Sequence, residues 1–168
     1  MNRPNDTITI ENAKIIWKDF SGERNQYNND RTFHVAFTEE DATKLKADGW
    51  PIKLYIPKDD NGLPKDGAEP VYHLQVKLVF GKRPPKIMLV SGNSRKQSLD
   101  ENTVGMLDWV QFEKADVIIR PYNYDFGGRS GTKAYLNTLY VTKSVDPLDE
   151  KYADIPEDTE DVPWGNER

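Results

Sequence analysis

Residues 120–135 bring aromatic and basic side chains together in a pattern that suits the binding of single-stranded nucleic acid. The segment reads RPYNYDFGGRSGTKAY. Its rings and cations are Tyr122, Tyr124, Phe126, Tyr135, Arg120, Arg129 and Lys133. Aromatic faces stack on bases, at about 1–3 kcal/mol per base, and cations neutralise phosphates. We therefore predict that this segment contacts a single strand, although each ring taken singly is equally well explained as part of the core.

Further cations and rings extend this candidate surface. The cations surround a Pro-Pro turn and a polar loop: Lys82, Arg83, Lys86, Arg95 and Lys96. Three rings flank the loop after the first predicted strand and form a second candidate stacking surface: Trp17, Phe20 and Tyr27. The alternatives are a solvated surface for the cations, which is the usual place of Lys and Arg, and the core for Trp17.

The sequence offers little for catalysis, a metal or a cofactor. It contains no cysteine, and its two histidines, His34 and His73, are too few for most zinc sites. The loop GGRSGTK lacks the Gly-Lys-Ser/Thr order of a phosphate-binding loop and precedes a predicted strand. We predict a protein that needs no metal or cofactor and is not an enzyme. A hydrolase that acts on nucleic acid through distant carboxylates is an alternative.

Strands must position these side chains. Composition and alternation predict a long strand over residues 7–17 with a bulge near Asn12, and further strands over 33–37, 54–56, 72–80 and 86–91. DVIIRPYNY and KAYLNTLYV predict a hairpin around DFGGRSGT. With five to seven strands and no regular long helices between them, a small antiparallel barrel or sandwich is the expected fold.

Two short helices are predicted between the strands. Thr38 and Asp41 form a weak capping box for the first helix, and Gly49 ends it. The pattern Ser98-x-x-Glu101 predicts a second capping box, with a helix that continues to about Trp109.

The composition changes near residue 145. Residues 146–168 hold nine acidic and two basic residues, whereas residues 1–145 carry a net charge of +2 in a chain of net −5. A like-charged segment with few apolar residues cannot offset its ordering entropy, so we predict a disordered tail. Its Val162-Pro163-Trp164 suggests a peptide that a partner grips. We therefore divide the chain into a nucleic-acid-binding domain, residues 1–145, and an acidic tail, residues 146–168.

Most of residues 10–153 resemble the single-stranded DNA-binding proteins of bacteriophages. The segments that carry the resemblance are Phe20-Ser21-Gly22, RTFHVAF, Asp48-Gly49-Trp50, VYHLQVKLVF, VIIRPYNY, GTKAYLNTLYVT and Lys151-Tyr152-Ala153. The resemblance implies an OB-fold, a five-stranded barrel that binds oligonucleotides across one face and its loops.

The tail is similar to those of bacterial and phage single-stranded DNA-binding proteins, which are acidic and end in an aromatic residue after proline. The matching residues, together with the apolar neighbour of the pair, are Asp158, Glu160, Asp161, Val162, Pro163 and Trp164. The chain departs from that pattern because Gly165-Asn166-Glu167-Arg168 follows the aromatic residue.

Residues and resemblance together predict an OB-fold-like protein that binds single-stranded DNA with little sequence specificity in phage DNA replication, recombination or repair. The tail would recruit replication or recombination proteins and compete with DNA. The sequence shows no membrane-length apolar run, so we expect the protein to act in the cytoplasm of the bacterial host. The alternative is a non-catalytic phage β-domain with a structural or scaffold role. Whether the protein is a monomer or a homo-oligomer is left open.

Overall fold

The computed structural model describes residues 3–25, 27–91 and 95–144. These residues contain nine strands and two short helices, joined by turns and loops. The strands are β1 (Ile8–Ile10), β2 (Lys14–Asp19), β3 (Arg31–Phe37), β4 (Lys53–Tyr55), β5 (Val71–Leu78), β6 (Lys86–Val90), β7 (Lys96–Leu99), β8 (Phe112–Phe126) and β9 (Arg129–Lys143). Helix α1 spans Glu39–Ala47, and a 3₁₀ helix spans Val104–Trp109.

The strands form one mixed sheet in which β5 and β9 each pair with three other strands. The main path runs β1-β8-β9-β5-β3-β2, β4 pairs with β5, and β6 pairs with both β7 and β9. β9 is parallel to β5 and to β6, whereas the other pairings are antiparallel. The mainly β class with two short helices is confirmed, and the sheet is consistent with an OB-like architecture.

The structure corrects two details of the predicted fold, the strand count and the antiparallel sheet. The described residues contain nine strands instead of five to seven, and two pairings are parallel. Parallel neighbours need a long crossover, which β6, β7 and β8 supply between β5 and β9. Alternation identifies a strand but does not identify its neighbours.

The core lies where the apolar faces of these strands meet. Its strand residues include Phe33, Val35, Leu74, Val76, Ile87, Val117, Ile119, Leu136, Leu139 and Val141, all of them buried. Full burial of each such side chain stabilises the fold by about 1.5–3 kcal/mol. The opposite faces of the same strands carry polar and aromatic residues, and these form the surface described below.

The first predicted strand is divided in two. β1 pairs with β8, whereas β2 pairs with β3, and the chain turns between them at Asn12, where φ is 54°. Asparagine tolerates this left-handed conformation because its short polar side chain bonds locally. The bulge lies further along, at Trp17, where the register between β2 and β3 shifts and φ is 49°.

The first predicted helix is confirmed and the second is corrected. The Thr38 hydroxyl accepts a hydrogen bond from the Asp41 amide (3.2 Å) at the start of α1, and Gly49 follows with a φ of 101°. Ser98, however, lies in β7. The turn into the 3₁₀ helix is formed instead by Asp100, whose Oδ1 accepts from the amides of Asn102 (2.9 Å) and Thr103 (3.0 Å).

Candidate nucleic-acid interface

β8 and β9 form a long hairpin that extends beyond the sheet. Gly127 and Gly128 connect them with φ values of 58° and 81°, which is the two-residue turn that matches the twist of a hairpin. The pairing of β1 with β8 reaches Ile119, and that of β5 with β9 covers only Ala134 and Tyr135. Toward its tip, the described strands of the hairpin therefore pair only with each other.

One face of this hairpin carries all seven aromatic and basic residues of segment 120–135 that we predicted to bind a single strand. Because side chains alternate along a strand, every second residue shares a face, and cross-strand partners share it too. The partners on this face are Arg120 with Tyr135, Tyr122 with Lys133, Tyr124 with Gly131, and Phe126 with Arg129. We call these eight residues the aromatic face of the hairpin.

The rings of the aromatic face are close to one another, and two of them are exposed. Tyr122 and Tyr135 stack with their centroids 4.9 Å apart and their planes at 26°. The Arg120 guanidinium lies 5.0 Å from the centroid of Tyr135, and Nζ of Lys133 lies 5.6 Å from that of Tyr124. Tyr122 is 42% exposed and Phe126 is 81% exposed. Tyr122 and Phe126 are therefore accessible, whereas Tyr124 and Tyr135 are half-buried.

Gly131 is part of this face because it makes room for Tyr124. A Cβ on Gly131 would lie 2.6 Å from the hydroxyl oxygen of Tyr124 and 2.9 Å from Cζ. The ring thus lies across the bare backbone of the facing strand. The sequence pattern indicated only a flexible glycine-rich tip, since the spacing does not show which ring faces which glycine.

The opposite face of the hairpin is polar and is tied to the start of the chain. Thr132 donates a hydrogen bond from its hydroxyl to Oδ1 of Asn123 (2.6 Å), and Nδ2 of Asn123 donates to the carbonyl of Pro4 (2.8 Å). These bonds hold the projecting strands against the N-terminal segment. The aromatic face is consequently directed away from that segment.

A second basic region adjoins the base of the hairpin. Lys86 and Lys96 lie on the outer faces of β6 and β7, next to Tyr140 of β9. Nζ of Lys86 is 5.3 Å from the Tyr140 centroid. A hydrogen bond from Lys86, and the charges of Lys86 and Lys96, lower the pKa of Tyr140. Sequence reasoning missed Tyr140, because regular alternation from Tyr135 would place it on the inner face. The register shift between Ile118 and Ile119 of β8 brings it onto the outer face.

Three other predicted cations lie in or beside loops. Lys82 and Arg83 are exposed between β5 and β6, and Arg95 is exposed just before β7. Lys82 and Arg83 lie close in sequence to Lys86, at the start of β6. These positions are compatible with a cationic border around the base of the hairpin.

The three predicted rings outside the hairpin have different positions. Tyr27 is exposed in the loop between β2 and β3. Trp17 is on the outer surface and 44% exposed. Phe20 is fully buried and stacks on Phe33 with centroids 5.1 Å apart. Its amide donates to Oδ1 of Asp108 (2.6 Å), which fixes the chain so that the ring enters the core. The predicted stacking of Phe20 on a base is therefore wrong, because no face of its ring is accessible.

Lys18, next to Trp17, has a structural role. Its Nζ donates to the carbonyls of Leu107 (2.9 Å) and Val110 (2.7 Å) and lies 4.3 Å from the centroid of Phe112. Burial lowers the pKa of Lys18, while the charge of Asp108 raises it. The lysine caps the end of the 3₁₀ helix and is not available to a phosphate.

The described ranges contain neither a cluster of metal ligands nor a membrane-spanning helix. Within residues 3–25, 27–91 and 95–144, no three His, Cys, Asp or Glu side chains converge as metal ligands. No helix in the same ranges has the length and apolarity to cross a membrane. The predicted tail residues Asp158, Glu160, Asp161, Val162, Pro163 and Trp164 lie outside the described residues.

Comparisons with known proteins give a family and a fold. A family model described as "Putative phage ssDNA-binding domain" matches residues 1–164. The C-terminally truncated single-stranded DNA-binding protein of bacteriophage Enc34 has a similar structure, with a TM-score of 0.50 and 11% identity over 84% of this chain and 88% of that chain. The Enc34 protein in complex with ssDNA gives a TM-score of 0.50 and 10% identity over 84% and 89%. At these identities the structural likeness shows the fold alone. No curated protein matches the chain.

Proposed function

The chain belongs to the family of phage single-stranded DNA-binding domains, and we propose that it binds single-stranded DNA through the aromatic face of its hairpin. The observation that supports this most is the placement of four rings and three cations on one face of a projecting hairpin. Bases would stack on Tyr122, Tyr124, Phe126 and Tyr135. Phosphates would contact Arg120, Arg129 and Lys133.

The same arrangement favours binding with little sequence specificity. Every base has a π-face, so stacking on tyrosine and phenylalanine tolerates any sequence. The bound DNA strand would continue past the base of the hairpin toward the cationic border. This border consists of Lys82, Arg83, Lys86, Arg95 and Lys96. We further propose that the protein is not an enzyme and acts in phage DNA replication, recombination or repair in the host cytoplasm.

Binding is expected to weaken steeply with salt. Each phosphate neutralised on a single strand contributes about −0.7 to the slope of log K against log salt. The three hairpin contacts alone, from Arg120, Arg129 and Lys133, give a slope of about −2, or a roughly hundredfold loss of affinity per tenfold rise in salt, and contacts with the cationic border make the slope steeper. Fluorescence titration of labelled oligo-dT at several salt concentrations measures this slope.

Two matched variants test whether this salt dependence of the affinity comes from the hairpin. Arg129→Gln should reduce its magnitude by about 0.7, whereas Lys44→Gln, which breaks an exposed ion pair with Glu40 on α1, should leave it unchanged. A slope near zero would remove the phosphate contacts from the proposal. Absence of any binding would favour the interaction-domain alternative, and loss of the oligonucleotide on adding magnesium would favour a hydrolase.

We also propose that the acidic tail competes with DNA and recruits protein partners. A tail of net charge −7 tethered to a cationic surface is an intramolecular competitor at high effective concentration. Deleting residues 146–168 should therefore raise the affinity for oligo-dT, most at low salt, where screening is weakest. Trp164→Ala keeps the charge and should leave that affinity unchanged while abolishing partner capture. Unchanged or lower affinity after the deletion would contradict competition.

A further inference from the structure

Four rings from four strands form a compact cluster on the outer face of the sheet, away from the hairpin. We call Trp17, His34, Tyr55 and His73 the ring cluster. The Trp17 centroid lies 5.1 Å from that of His34, 4.7 Å from that of His73 and 5.3 Å from that of Tyr55, each contact close to edge-on. Residues distant in sequence on β2, β3, β4 and β5 thus meet at one point.

A backbone irregularity places Trp17 in this cluster. Ile15 pairs with the buried Val35, and Ile16 pairs with His34 on the outer face, so regular alternation would turn Trp17 inward. The register shift after Ile16 and the φ of 49° at Trp17 bring its ring onto the outer face instead. A left-handed conformation at a bulky residue costs about 1–3 kcal/mol and persists only where the surroundings impose it.

The cluster is uncharged at neutral pH except for one cation beside it. Nδ1 of His34 lies 3.0 Å from Nδ1 of His73, a hydrogen bond that needs one donor and one acceptor. Burial, the nearby His73 and the charge of Lys53 lower the pKa of His34 to about 4. Burial and Lys53 also lower the pKa of His73. Both imidazoles are therefore neutral, and Lys53 pairs with His73 on the adjoining strand.

The outer rings of the cluster are open to solvent. Trp17 is 44% exposed and Tyr55 is 47% exposed, whereas His73 lies buried beneath them. The result is a broad aromatic surface with a lysine at its border. Aromatic surface beside a cation is what the base and phosphate of a nucleotide require.

The cluster and the aromatic face of the hairpin lie on the same side of one continuous sheet. Tyr135 pairs with Lys77 on β5, and Gln75, two residues earlier on β5, pairs with His34 on β3. Trp17 on β2 packs against His34. Three strand spacings of about 4.8 Å separate β9 from β2, about 14 Å in all. A bound strand of a few nucleotides can cross this distance.

We propose that the ring cluster is a second base-stacking site, which holds the same DNA strand that the hairpin binds. The proposal rests on the proposed function, since it assigns the far end of that binding path. It predicts that the bound DNA strand runs across the sheet from β9 to β2. Trp17 and Tyr55 would contact bases, and Lys53 a phosphate.

Fluorescence of Trp17 tests this directly. Trp109→Phe together with Trp164→Phe leaves Trp17 and the buried Trp50 as the remaining tryptophans. Oligo-dT is expected to quench the emission of this protein in step with binding measured by fluorescence anisotropy of the labelled oligonucleotide. Trp17→Asn in the same background should abolish the quenching and lower the affinity about five- to a hundredfold. Asparagine is chosen because it tolerates the left-handed backbone.

Two controls separate the outcomes. Tyr55→Leu changes an exposed ring without touching the bulge and should also lower the affinity, whereas Trp109→Ala, at an exposed tryptophan on the 3₁₀ helix, should leave it unchanged. Normal binding with no change in Trp17 emission, and with full affinity in Trp17→Asn and Tyr55→Leu, would overturn the second site and leave the hairpin proposal intact. If the unsubstituted protein did not bind oligo-dT, the proposed function itself would fail.

Discussion

Replacing both Tyr122 and Phe126 with alanine is expected to lower the affinity for oligo-dT by at least about thirtyfold while the fold remains intact. Both rings are on the aromatic face, and both are exposed, so their removal leaves no cavity in the core. Each lost stacking contact costs about 1–3 kcal/mol, and tenfold in affinity corresponds to about 1.4 kcal/mol. Anisotropy titration measures the affinity, and thermal unfolding followed by circular dichroism reports the fold.

Two further variants show whether the loss comes from the arrangement of the rings. Trp109→Ala removes an exposed ring outside the aromatic face and should not change the affinity. Gly131→Ala removes no ring and no charge, but its Cβ would clash with the end of the Tyr124 side chain, which can swing away. We expect Gly131→Ala to weaken binding by about as much as one lost stacked base. Full affinity in the double alanine variant would refute the hairpin as the binding site.

Acidification from pH 7.5 to pH 5 is expected to reduce the free energy of unfolding by about 2 kcal/mol through His34 alone. The pKa of His34 is about 4 in the folded protein and about 6.5 in the unfolded chain. Between these values the unfolded chain takes up a proton that the folded protein excludes. Stability is therefore complete above about pH 6.5 and is lost as the pH falls toward 4. Urea unfolding at a series of pH values measures it.

The variant His34→Phe isolates this contribution from the carboxylates that titrate at lower pH. Phenylalanine keeps a ring against Trp17 and cannot be protonated. The decrease in stability between pH 7.5 and pH 5 should be smaller in this variant by about 2 kcal/mol, which is roughly 4–8 °C in melting temperature for a chain of this size. Equal pH dependence in both proteins would show that His34 titrates normally in the fold.

The aromatic face of the hairpin could be predicted from the sequence because its information is local. Alternation assigns Arg120, Tyr122, Tyr124 and Phe126 to one side of a strand. The sequence indicated an eight-residue loop, DFGGRSGT, between the two strands. The structure instead has a two-residue turn at Gly127 and Gly128, and this turn places Arg129, Lys133 and Tyr135 on the same side. The cap of α1 could be predicted for the same reason, because Thr38 and Asp41 are only three residues apart. Side-chain periodicity and turn chemistry act within a few residues, and both are visible in the sequence.

Contacts between distant segments were decided only by the tertiary structure. Whether an aromatic residue near a loop is buried depends on what packs over it, and Asp108 turns Phe20 into the core while a bulge turns Trp17 outward. His34 and His73 are 39 residues apart and meet because β3 and β5 pair. The position of Tyr124 over Gly131, of Lys86 beside Tyr140, and the parallel alignment of β9 with β5 and β6 depend equally on pairing. The sequence by itself determined which face a residue of a regular strand occupies, because the alternation of side chains is a property of each strand, but it did not determine the face where a bulge interrupts that alternation, as at Trp17. Only the fold determined which faces adjoin, because strand neighbours are selected by the packing of the whole core.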